Sequence, residues 1–509
     1  MGQPNVWMWR IFRVRRFVFL FAIFPLCSLA GAQTPTLVQH VSCPNSGGAG
    51  SGIGGAISSA PVYSCPLPEP SQAGNAIILG LISNNSGNPT WTVSDDKSNP
   101  WNPAGSTTDN QGNIIAVYYA LNVAAGTRML SVQSSAATQG YLAVSASEYY
   151  NVATTAALDA KSCSAGASSK SIAAGSITPT ASGDLLWQWA ATANSSSVAS
   201  IAAGSQSNIT WQLNGTDIDD GDATQAGVYN STTAINPTFT SGTGQPFDSC
   251  VVALKAASAG NAPTKAFRIV HMLHEQETSS APNTYPVEMP TSGNLVVLSF
   301  ISGGNAITGI SSVPANTWTA TGAAISSGNQ ATSQIYYAAN ASNSNSMTLS
   351  IGQNGTMTGS TFMMYDFVGA ATSPFDVDSG GLSGDQQGAV TSLQSCNSCF
   401  TPSAANEAII GNIGNAWCTA TGLTAPSGGL FDVATYTGNS VNGPESVDQN
   451  NGWFHSYSSG ASAISVTWTY ICGSDAQGVW TGRLAAFKPG SQTQPAPPTG
   501  LKGTVVPQG

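Results

Sequence analysis

Residues 74–79 read Gly-Asn-Ala-Ile-Ile-Leu, and residues 293–298 read Gly-Asn-Leu-Val-Val-Leu, 219 positions later. Residues 118–120, Tyr-Tyr-Ala, recur at residues 336–338, an offset of 218 positions. Two later matches with offsets of 217 and 233 positions are Asp159 with Asp376 and Lys255 with Lys488. A repeat of about 220 residues is too long for a solenoid unit. It therefore predicts two tandem copies of one domain, with a loop insertion late in the second copy.

Most other periodic segments alternate with a period of two, which is typical of β-strands. Examples are residues 90–93 (Thr-Trp-Thr-Val), 347–351 (Met-Thr-Leu-Ser-Ile) and 463–468 (Ala-Ile-Ser-Val-Thr-Trp). Gly, Asn, Ser and Pro separate these runs, and no segment combines helix caps with a 3.6-residue period. The sequence predicts an all-β chain with two tandem, jelly-roll-like β-sandwich domains of roughly eight to ten strands each.

The first 32 residues have the pattern of a secretory signal peptide. Four arginines precede the apolar run 17–29, and Ala30-Gly31-Ala32 supplies the small residues of a cleavage site. A membrane anchor is the alternative, but the run is shorter than the about 20 residues that a span needs. The expected segments are 1–32 for the signal peptide, 34–258 for β-sandwich domain 1, 265–490 for β-sandwich domain 2, and 491–509 for a Pro-rich linker that leads into the start of an Ig-like or fibronectin type III domain.

The charge of the chain limits its partners. Only 7% of the residues are charged, and loss of the four arginines changes the formal net charge from −10 to −14. Nucleic-acid binding rests on Lys and Arg, so the composition argues against it. Ser, Thr, Asn, Gln and Gly must cover most of the surface, and such groups hydrogen-bond readily to sugars. We expect a secreted or cell-surface protein with no membrane span in the mature chain, and an extracellular polysaccharide or cell-surface polymer as its partner.

Eight cysteines follow the signal peptide. An even number in an exported chain predicts disulfides, although spacing alone cannot settle their connectivity. The preferred pairs are Cys43–Cys65, Cys163–Cys250, Cys396–Cys399 and Cys418–Cys472. A redox or zinc half-site at Cys396-x-x-Cys399 is the alternative, but no second CxxC and no nearby histidine support zinc.

Residues 217–222, Asp-Ile-Asp-Asp-Gly-Asp, are the densest acidic cluster. Four close carboxylates repel one another unless a cation or water screens them, and oxygen ligands around a glycine suit Ca²⁺. The predicted ligands are Asn214, Asp217, Asp219, Asp220 and Asp222. The cluster lacks the distal Glu of an EF-hand, so a solvated acidic turn is the alternative. No other cofactor is expected.

Tryptophans are the strongest indication of a ligand. Trp101 and Trp318 match between the copies and follow Asn-Pro and Asn-Thr, whereas Trp453 lies among polar residues. Flat rings at the rim of a β-sandwich are suited to stacking on sugar rings. All three are therefore predicted ligand-binding residues, with burial in the core as the alternative.

No catalytic residues are assigned. Glu148 and Asp366 hold matching strand positions, and Glu148 could pair with Asp159 or Asp184 as the two acids of a glycosidase do. The alternative is that Glu148 and Asp366 bond to backbone or tyrosine groups. The chain has no G-x-S-x-G motif, which argues against a serine hydrolase of that type.

A family resemblance rests on the order of several motifs. They are residues 37–40 (Leu-Val-Gln-His), 74–77, 93–96 (Val-Ser-Asp-Asp), 118–120, 148–149 and 253–255 (Ala-Leu-Lys). This order resembles the largely uncharacterised β-sandwich repeats of large secreted proteins of soil bacteria, over nearly the whole mature chain. Copy two departs at one turn, where residues 312–315 (Ser-Val-Pro-Ala) replace 94–97 (Ser-Asp-Asp-Lys).

These features favour a secreted, non-enzymatic binding or adhesion protein that contacts extracellular polysaccharide. A structural protein that self-associates through strand edges into a surface layer or filament is the first alternative. A polysaccharide-degrading enzyme is the second.

Overall fold

A computed structural model of the chain describes most of both copies. The described residues are 2, 33–43, 62–84, 89–109, 112–135, 142–192, 201–217, 222–258, 263–277, 284–302, 305–327, 331–354, 360–387, 392–416, 420–424, 429–432, 435–437, 451–472 and 477–491. Within some strands only the backbone is described, at 84, 216–217, 275–277, 284–288, 360, 385–387, 392–399, 415–416, 420–424, 431, 435–437, 469–472 and 477–479. The predicted signal peptide, apart from Gly2, and the predicted C-terminal Ig-like segment lie outside these ranges.

Every regular element in the described ranges is a β-strand, which confirms the all-β class. The largest sheet has eleven strands and contains strands of both copies. Its order is β19 (Trp318–Ala320), β21 (Ala331–Ala339), β17 (Leu295–Ser302), β23 (Ser360–Val368), β15 (Arg268–Glu277), β1 (Thr36–Cys43), β8 (Leu142–Tyr150), β3 (Ala76–Asn84), β6 (Asn113–Ala120) and β5 (Trp101–Thr108), with β20 (Ile325–Ser327) beside β21.

A second sheet of nine strands also draws on both copies. Its order is β11 (Ile201–Ala202), β14 (Thr238–Leu254), β10 (Asp184–Thr192), β13 (Asp222–Tyr229), β12 (Gln212–Asp217), β16 (Thr284–Thr291), β22 (Ser344–Gln353) and β18 (Ile307–Val313), with β9 (Leu158–Ala173) beside β14. The strand β16 of copy two therefore extends the C-terminal sheet of copy one.

Three smaller sheets complete the fold. The four-stranded sheet is β30 (Thr435–Thr437), β2 (Val62–Pro66), β7 (Met129–Ser134) and β4 (Trp91–Asp95). The six-stranded sheet is β24 (Ala370–Asp378), β33 (Gln477–Pro489), β27 (Ala408–Ala416), β31 (Asn451–Tyr457) and β29 (Leu430–Phe431), with β25 (Leu382–Gln387) beside β33. The three-stranded sheet is β26 (Ser392–Phe400), β32 (Ile464–Cys472) and β28 (Ala420–Thr424).

The two copies meet at the centre of the largest sheet, where β1 runs parallel to β15 and His40 lies opposite His271. All other strand pairs of the described residues are antiparallel. Parallel strands normally occur where both faces of a sheet are covered. The burial of β1 and of the neighbouring strands on both faces fits that rule.

The repeated Gly-Asn segments form the turn that leads into a doubly buried strand. Gly74 and Gly293 have φ angles of 88° and 82°, a region that favours glycine, so the same turn recurs in both copies. In β3, Ile77 lies in a core cluster with Val132 of the four-stranded sheet. Ile78 lies instead in a cluster with Trp189 of the nine-stranded sheet. The run Ala-Ile-Ile-Leu is continuous because both of its faces are buried.

Copy two packs in the same way with the faces exchanged. Val297 of β17 shares a cluster with Ile410 of the six-stranded sheet. Leu298 shares a different cluster with Leu349 of the nine-stranded sheet. The two halves of the central sheet therefore make four sheet-on-sheet packing units.

The prediction of two separate tandem sandwiches was thus wrong, because the largest sheets are shared by the copies. No strand runs across the expected boundary between the copies, since β14 ends at Leu254 and β15 begins at Arg268. Strands of the two copies also pair in the sheets that cover the central sheet. Thr216 of β12 pairs with Glu288 of β16, and Tyr63 of β2 pairs with Tyr436 of β30.

Two of the four predicted disulfides are present. Cys43–Cys65 joins β1 to β2, and Cys163–Cys250 joins opposite positions of β9 and β14. The side chains of the other four predicted cysteines lie outside the described residues. They are Cys396, Cys399, Cys418 and Cys472.

Candidate functional site

Trp101 and Trp318 occupy the same structural position in the two copies. The Trp101 indole N–H donates to Asp95 Oδ2 at 2.7 Å, and the Trp318 N–H donates to Ser312 Oγ at 3.3 Å. In each case the acceptor lies six residues earlier and caps the intervening turn. The tryptophans are partly exposed and pack against buried core clusters, which holds each ring in place.

The two turns also share an asparagine. Asn99 Oδ1 accepts a hydrogen bond from Ala124 N at 2.8 Å, and Asn316 Oδ1 accepts one from Ser342 N at 2.9 Å. In copy one Asp95 accepts from Lys97 N at 2.8 Å and from Asn99 Nδ2 at 3.1 Å. The acidic turn of copy one is therefore a capped turn whose Asp95 oxygens already have donors.

The two tryptophans lie far apart. Trp101 begins β5 and Trp318 begins β19, the outermost strands of the ordered path through the central sheet. Nine strand spacings separate β5 from β19, which corresponds to about 40 Å along the sheet. The fold therefore presents two equivalent, partly exposed tryptophans at opposite edges.

Trp453 does not belong to this pair. It is 0% exposed, and its indole N–H donates to Ser299 O at 3.1 Å. The ring of His274 packs edge-on against it at 5.1 Å between centroids. The prediction that Trp453 stacks on a ligand was wrong, because its polar sequence neighbours do not show that the ring faces the core.

The predicted calcium ligands do not form a site in the described part of the chain. Asn214 is buried, and its amide donates to Tyr149 OH at 3.0 Å. Asp222 is also buried, at the start of β13. The side chains of Asp217, Asp219 and Asp220 lie outside the described residues. Among the described residues, no group of three or more His, Cys, Asp or Glu side chains is arranged for a metal ion.

The matching acids Glu148 and Asp366 are held by internal hydrogen bonds. Glu148 is fully buried and accepts from Gln39 Nε2 at 2.5 Å, Asn75 Nδ2 at 2.6 Å and Gln72 N at 3.0 Å. Burial raises the pKa of Glu148, and these hydrogen bonds partly offset the rise. The structural match of His271 is Gln39, since each lies opposite the acid of its copy.

Asp366 makes the equivalent contacts in copy two. His271 Nδ1 lies 2.8 Å from Asp366 Oδ2, and Ser292 N donates to the same oxygen at 2.8 Å. His40 is also buried, with its Nδ1 2.8 Å from Ser147 Oγ. Burial lowers the pKa of His40, and the neighbouring His271 adds to the effect. All of these groups are buried and bonded to neighbouring strands or turns, so they support the central sheet.

A buried network of charged and polar side chains joins the two copies. Arg128 Nη2 lies 2.7 Å from Asp432 Oδ1, and Tyr365 OH donates to Asp432 Oδ2 at 2.9 Å. His455 Nδ1 lies 2.8 Å from the same carboxylate. Burial lowers the pKa of Arg128, and the charge of Asp432 opposes this shift. The network ties β7 of copy one to copy two.

The carboxylate pair of copy one is Asp159 with Asp184, and Glu148 is not part of it. Thr180 donates through its backbone N and its Oγ1 to Asp159, the latter at 2.5 Å. Lys255 Nζ lies 3.3 Å from Asp159 Oδ1. Burial acts to raise the pKa of Asp159, but these hydrogen bonds and the lysine outweigh it and hold the pKa at about 2.

Asp184 is the acid of this pair whose pKa is raised. Burial raises the pKa of Asp184 to about 7, and the neighbouring Asp159 adds to the rise. Neither carboxyl oxygen of Asp184 has a hydrogen-bond donor facing it. Asp184 is therefore the acid of this pair that more readily holds a proton.

Copy two repeats the arrangement with Asp376 and Glu407. Ser403 N donates to Asp376 Oδ2 at 2.7 Å, and Lys488 Nζ lies 3.2 Å from Asp376 Oδ1. Glu407 Oε1 accepts from Ser403 Oγ at 2.9 Å and from Ala404 N at 2.7 Å. Burial raises the pKa of Glu407, with Asp376 contributing to the rise. The hydrogen bonds of Ser403 outweigh burial and lower the pKa of Asp376.

Sequence reasoning found only part of this arrangement. The matches of Asp159 with Asp376 and of Lys255 with Lys488 were visible, but the second acid was not recognised as repeated. The available signal was the turn before it, since Gly183 and Asn406 both have positive φ and both precede an acid and an apolar run. Asp in one copy and Glu in the other obscured the match.

No protein-family model, curated protein or solved structure matches this chain. The resemblance to secreted repeats of soil bacteria therefore stays a prediction. Where the structure describes the chain, it contains no helix long and apolar enough to cross a membrane.

Proposed function

We propose that this chain is a secreted, non-enzymatic binding protein that holds an extracellular polysaccharide through Trp101 and Trp318. The observation that carries the proposal is the placement of these two residues. Each tryptophan is partly exposed, and each indole N–H is bound within its own turn. A ring fixed in this way loses little further freedom when a sugar stacks on it, which favours binding.

The separation of the two tryptophans favours a polymer over a small sugar. Two equivalent sites about 40 Å apart bind one long chain, or two neighbouring chains of a solid glycan, at the same time. Simultaneous contact raises the apparent affinity well above that of either site alone, provided that the ligand spans both sites.

The state of the candidate acids and histidines favours binding over catalysis. Glu148 has three internal donors, and His40 and His271 are buried in the central sheet. Asp159, the acid beside Asp184, is held by hydrogen bonds from Thr180 and by Lys255.

An extracellular location fits the described disulfides. Cys43–Cys65 and Cys163–Cys250 are of a kind that persists in oxidising compartments. The low content of charged residues leaves a neutral polar surface, which suits a neutral polymer.

Pull-down on insoluble glycans such as cellulose and chitin tests the proposal. The variants are Trp101→Ala, Trp318→Ala and the double variant, each checked for folding by its melting temperature. We expect either single variant to lower the apparent affinity by on the order of 10- to 100-fold, because binding becomes monovalent. The double variant should lose retention on every glycan that holds the wild-type protein.

Val313→Ala is the matched control. Val313 is 72% exposed in the same turn region of copy two as Trp318, so its loss removes apolar surface without removing the ring. Equal losses in Val313→Ala and Trp318→Ala would indicate unspecific apolar adhesion. Unchanged retention of the double tryptophan variant would refute the proposal.

Self-association through strand edges is the second candidate function, and Val313 is the observation that favours it. It is the one exposed large hydrophobic residue in the described ranges, and it lies on the edge strand β18. Exposed edge strands are templates for pairing with another chain. Filaments in electron micrographs of the wild-type protein, absent from a Val313→Lys variant, would support it.

A further inference from the structure

Both copies carry the same set of four side chains at one end of their C-terminal sheets. The members are a carboxylate, a hydroxyl residue, a second acid and a lysine. They are Asp159, Thr180, Asp184 and Lys255 in copy one, and Asp376, Ser403, Glu407 and Lys488 in copy two. This constellation differs from a simple ion pair, which needs neither the second acid nor the backbone donor.

The lysine and the carboxylate are placed for bond formation. Lys255 Nζ lies 3.3 Å from Asp159 Oδ1, and Lys488 Nζ lies 3.2 Å from Asp376 Oδ1. These salt bridges hold each lysine beside the carboxyl group whose carbon it would attack, so the two reacting groups are already neighbours. The carboxylates are nearly buried, while about 40% of each lysine side chain is exposed, at 42% and 40%.

The other two groups supply what attack on a carboxyl carbon requires. The backbone N–H groups of Thr180 and Ser403 point at oxygens of Asp159 and Asp376, where negative charge develops as a nucleophile adds. The second acid lies beside the same carboxyl group and can supply a proton to it. In copy one this acid is Asp184, whose pKa burial raises to about 7 and whose oxygens have no hydrogen-bond donor.

In copy two the equivalent acid is Glu407, whose pKa is raised by burial and by the neighbouring Asp376. Its Oε1 accepts from Ser403 Oγ and Ala404 N, whereas Oε2 is buried and has no donor. Both sets therefore contain a nucleophile, an electrophilic carboxyl, a backbone donor and a proton carrier.

We propose that Lys255 forms a side-chain amide bond with Asp159, and that Lys488 forms one with Asp376. The reaction starts from the minor neutral form of the ion pair, in which one proton has moved from the Lys255 ammonium to the Asp159 carboxylate. The Lys255 Nζ lone pair then adds to Cγ, forming the N–C bond, while Asp184 gives its proton to the carboxyl oxygen. Asp184 takes the second proton from nitrogen, one C–O bond breaks, and water leaves.

The atoms and charges of this reaction balance. One ammonium and one carboxylate become one neutral amide and one water, and Asp184 ends protonated as it began. No oxidant, reductant or activated donor is needed. The reaction has to occur only once in each molecule, so a slow rate is sufficient, and the exposed lysine gives the departing water a path to solvent.

The bonds would join the first and last strands of each C-terminal half. In copy one they would join β9 to the end of β14, which Cys163–Cys250 already connects. In copy two they would join β24 to β33, where the structure describes no disulfide. The same constellation therefore serves as a redox-independent cross-link. Its loss should lower the stability of copy two more than that of copy one.

Mass spectrometry of the purified, folded chain tests the proposal. Digestion should yield fragments joined through Lys255 and Asp159, and through Lys488 and Asp376, each lighter than its two parts by one water. Lys255→Arg and Lys488→Arg keep the positive charge beside the carboxylate, and each should remove only its own joined fragment. Separate, linear fragments from the folded wild-type protein at both positions would overturn the proposal.

Asp184→Asn tests the role of the proton carrier. Asn keeps the shape and donates to Asp159, but it cannot move a proton, so the joined fragment of copy one should be absent while that of copy two persists. Full cross-linking at Asp159 in this variant would overturn the assignment of Asp184. A melting temperature close to that of Lys255→Arg would show that the variant still folds, so that loss of the cross-link is not due to unfolding.

Discussion

Replacing Asp248 by Asn should remove a pH dependence of stability from this protein. Asp248 lies on β14 and is 1% exposed, opposite Ala191 of β10, and its Oδ1 has no hydrogen-bond donor. Burial raises its pKa to about 8, and the negative charge of Asp109 adds to the rise. The folded protein therefore keeps a proton that the unfolded chain releases near pH 4.

The sign follows from the proton balance of the two states. Below the ordinary pKa of 3.8, both states are protonated and the group makes no difference. Between that value and about pH 8, the folded state binds one more proton, so rising pH favours unfolding by up to about 1.4 kcal/mol per pH unit. Across the whole window the loss amounts to about 6 kcal/mol at most, and it levels off above pH 8.

Urea unfolding of the wild-type protein and of Asp248→Asn, at pH values from about 5 to 9, measures this effect. The difference between the two isolates Asp248, because every other titrating group is common to both. The variant should gain stability over the wild type as pH rises, with the change complete near pH 8.

Asp109→Asn is the control for the contribution of the Asp109 charge to the raised pKa of Asp248. Without the Asp109 charge the folded-state pKa of Asp248 should fall, so the loss of stability should level off at a lower pH and be smaller in total, without being abolished. A stability difference between Asp248→Asn and wild type that stays constant over the whole pH range would refute the reasoning.

Three further substitutions test the packing. Arg128→Ala leaves Asp432 buried without its cation and should cost about 3–5 kcal/mol of unfolding free energy; a loss below 1 kcal/mol would show that the carboxylate finds other partners. Gly80→Ala places a Cβ 2.7 Å from the Trp189 ring and should cost about 1–3 kcal/mol by urea unfolding, and a neutral effect would mean that the two layers separate easily. Trp453→Ala should cost about 3–5 kcal/mol and yet retain glycan binding below its melting temperature, whereas folded protein that no longer binds would restore Trp453 as a ligand residue.

The repeat allowed several structural equivalences to be predicted without coordinates. The pairing of Trp101 with Trp318 and of Glu148 with Asp366 follows from register, and the structure gives each pair equivalent surroundings. Period-two alternation and turn residues were enough for the all-β class, because strand geometry is set by local backbone and side-chain sterics. Cys43–Cys65 and Cys163–Cys250 were also predicted correctly.

Local patterns could not determine which side chains are buried or which acids meet. Trp453 is in the core although its neighbours are polar, because Asn451 and His455 lie on the same face of β31 and are themselves buried with internal hydrogen-bond partners. Asp159 and Asp184 are 25 positions apart in the chain and meet only because β9 and β10 flank β14. The raised pKa of Asp184 is a consequence of that meeting and of burial.

The sequence by itself determined the strand content, the duplication and the residue types at each matched turn. Only the tertiary structure decided how the copies combine. The segment Ala76-Ile77-Ile78-Leu79 is apolar on both faces, so it requires cover on both sides, but that requirement does not say which copy supplies the cover. The strands of the two copies pair at β12–β16 and β2–β30, between segments that are far apart in the sequence. Which strands pair there depends on how the whole molecule buries its apolar surface, and no local segment specifies it.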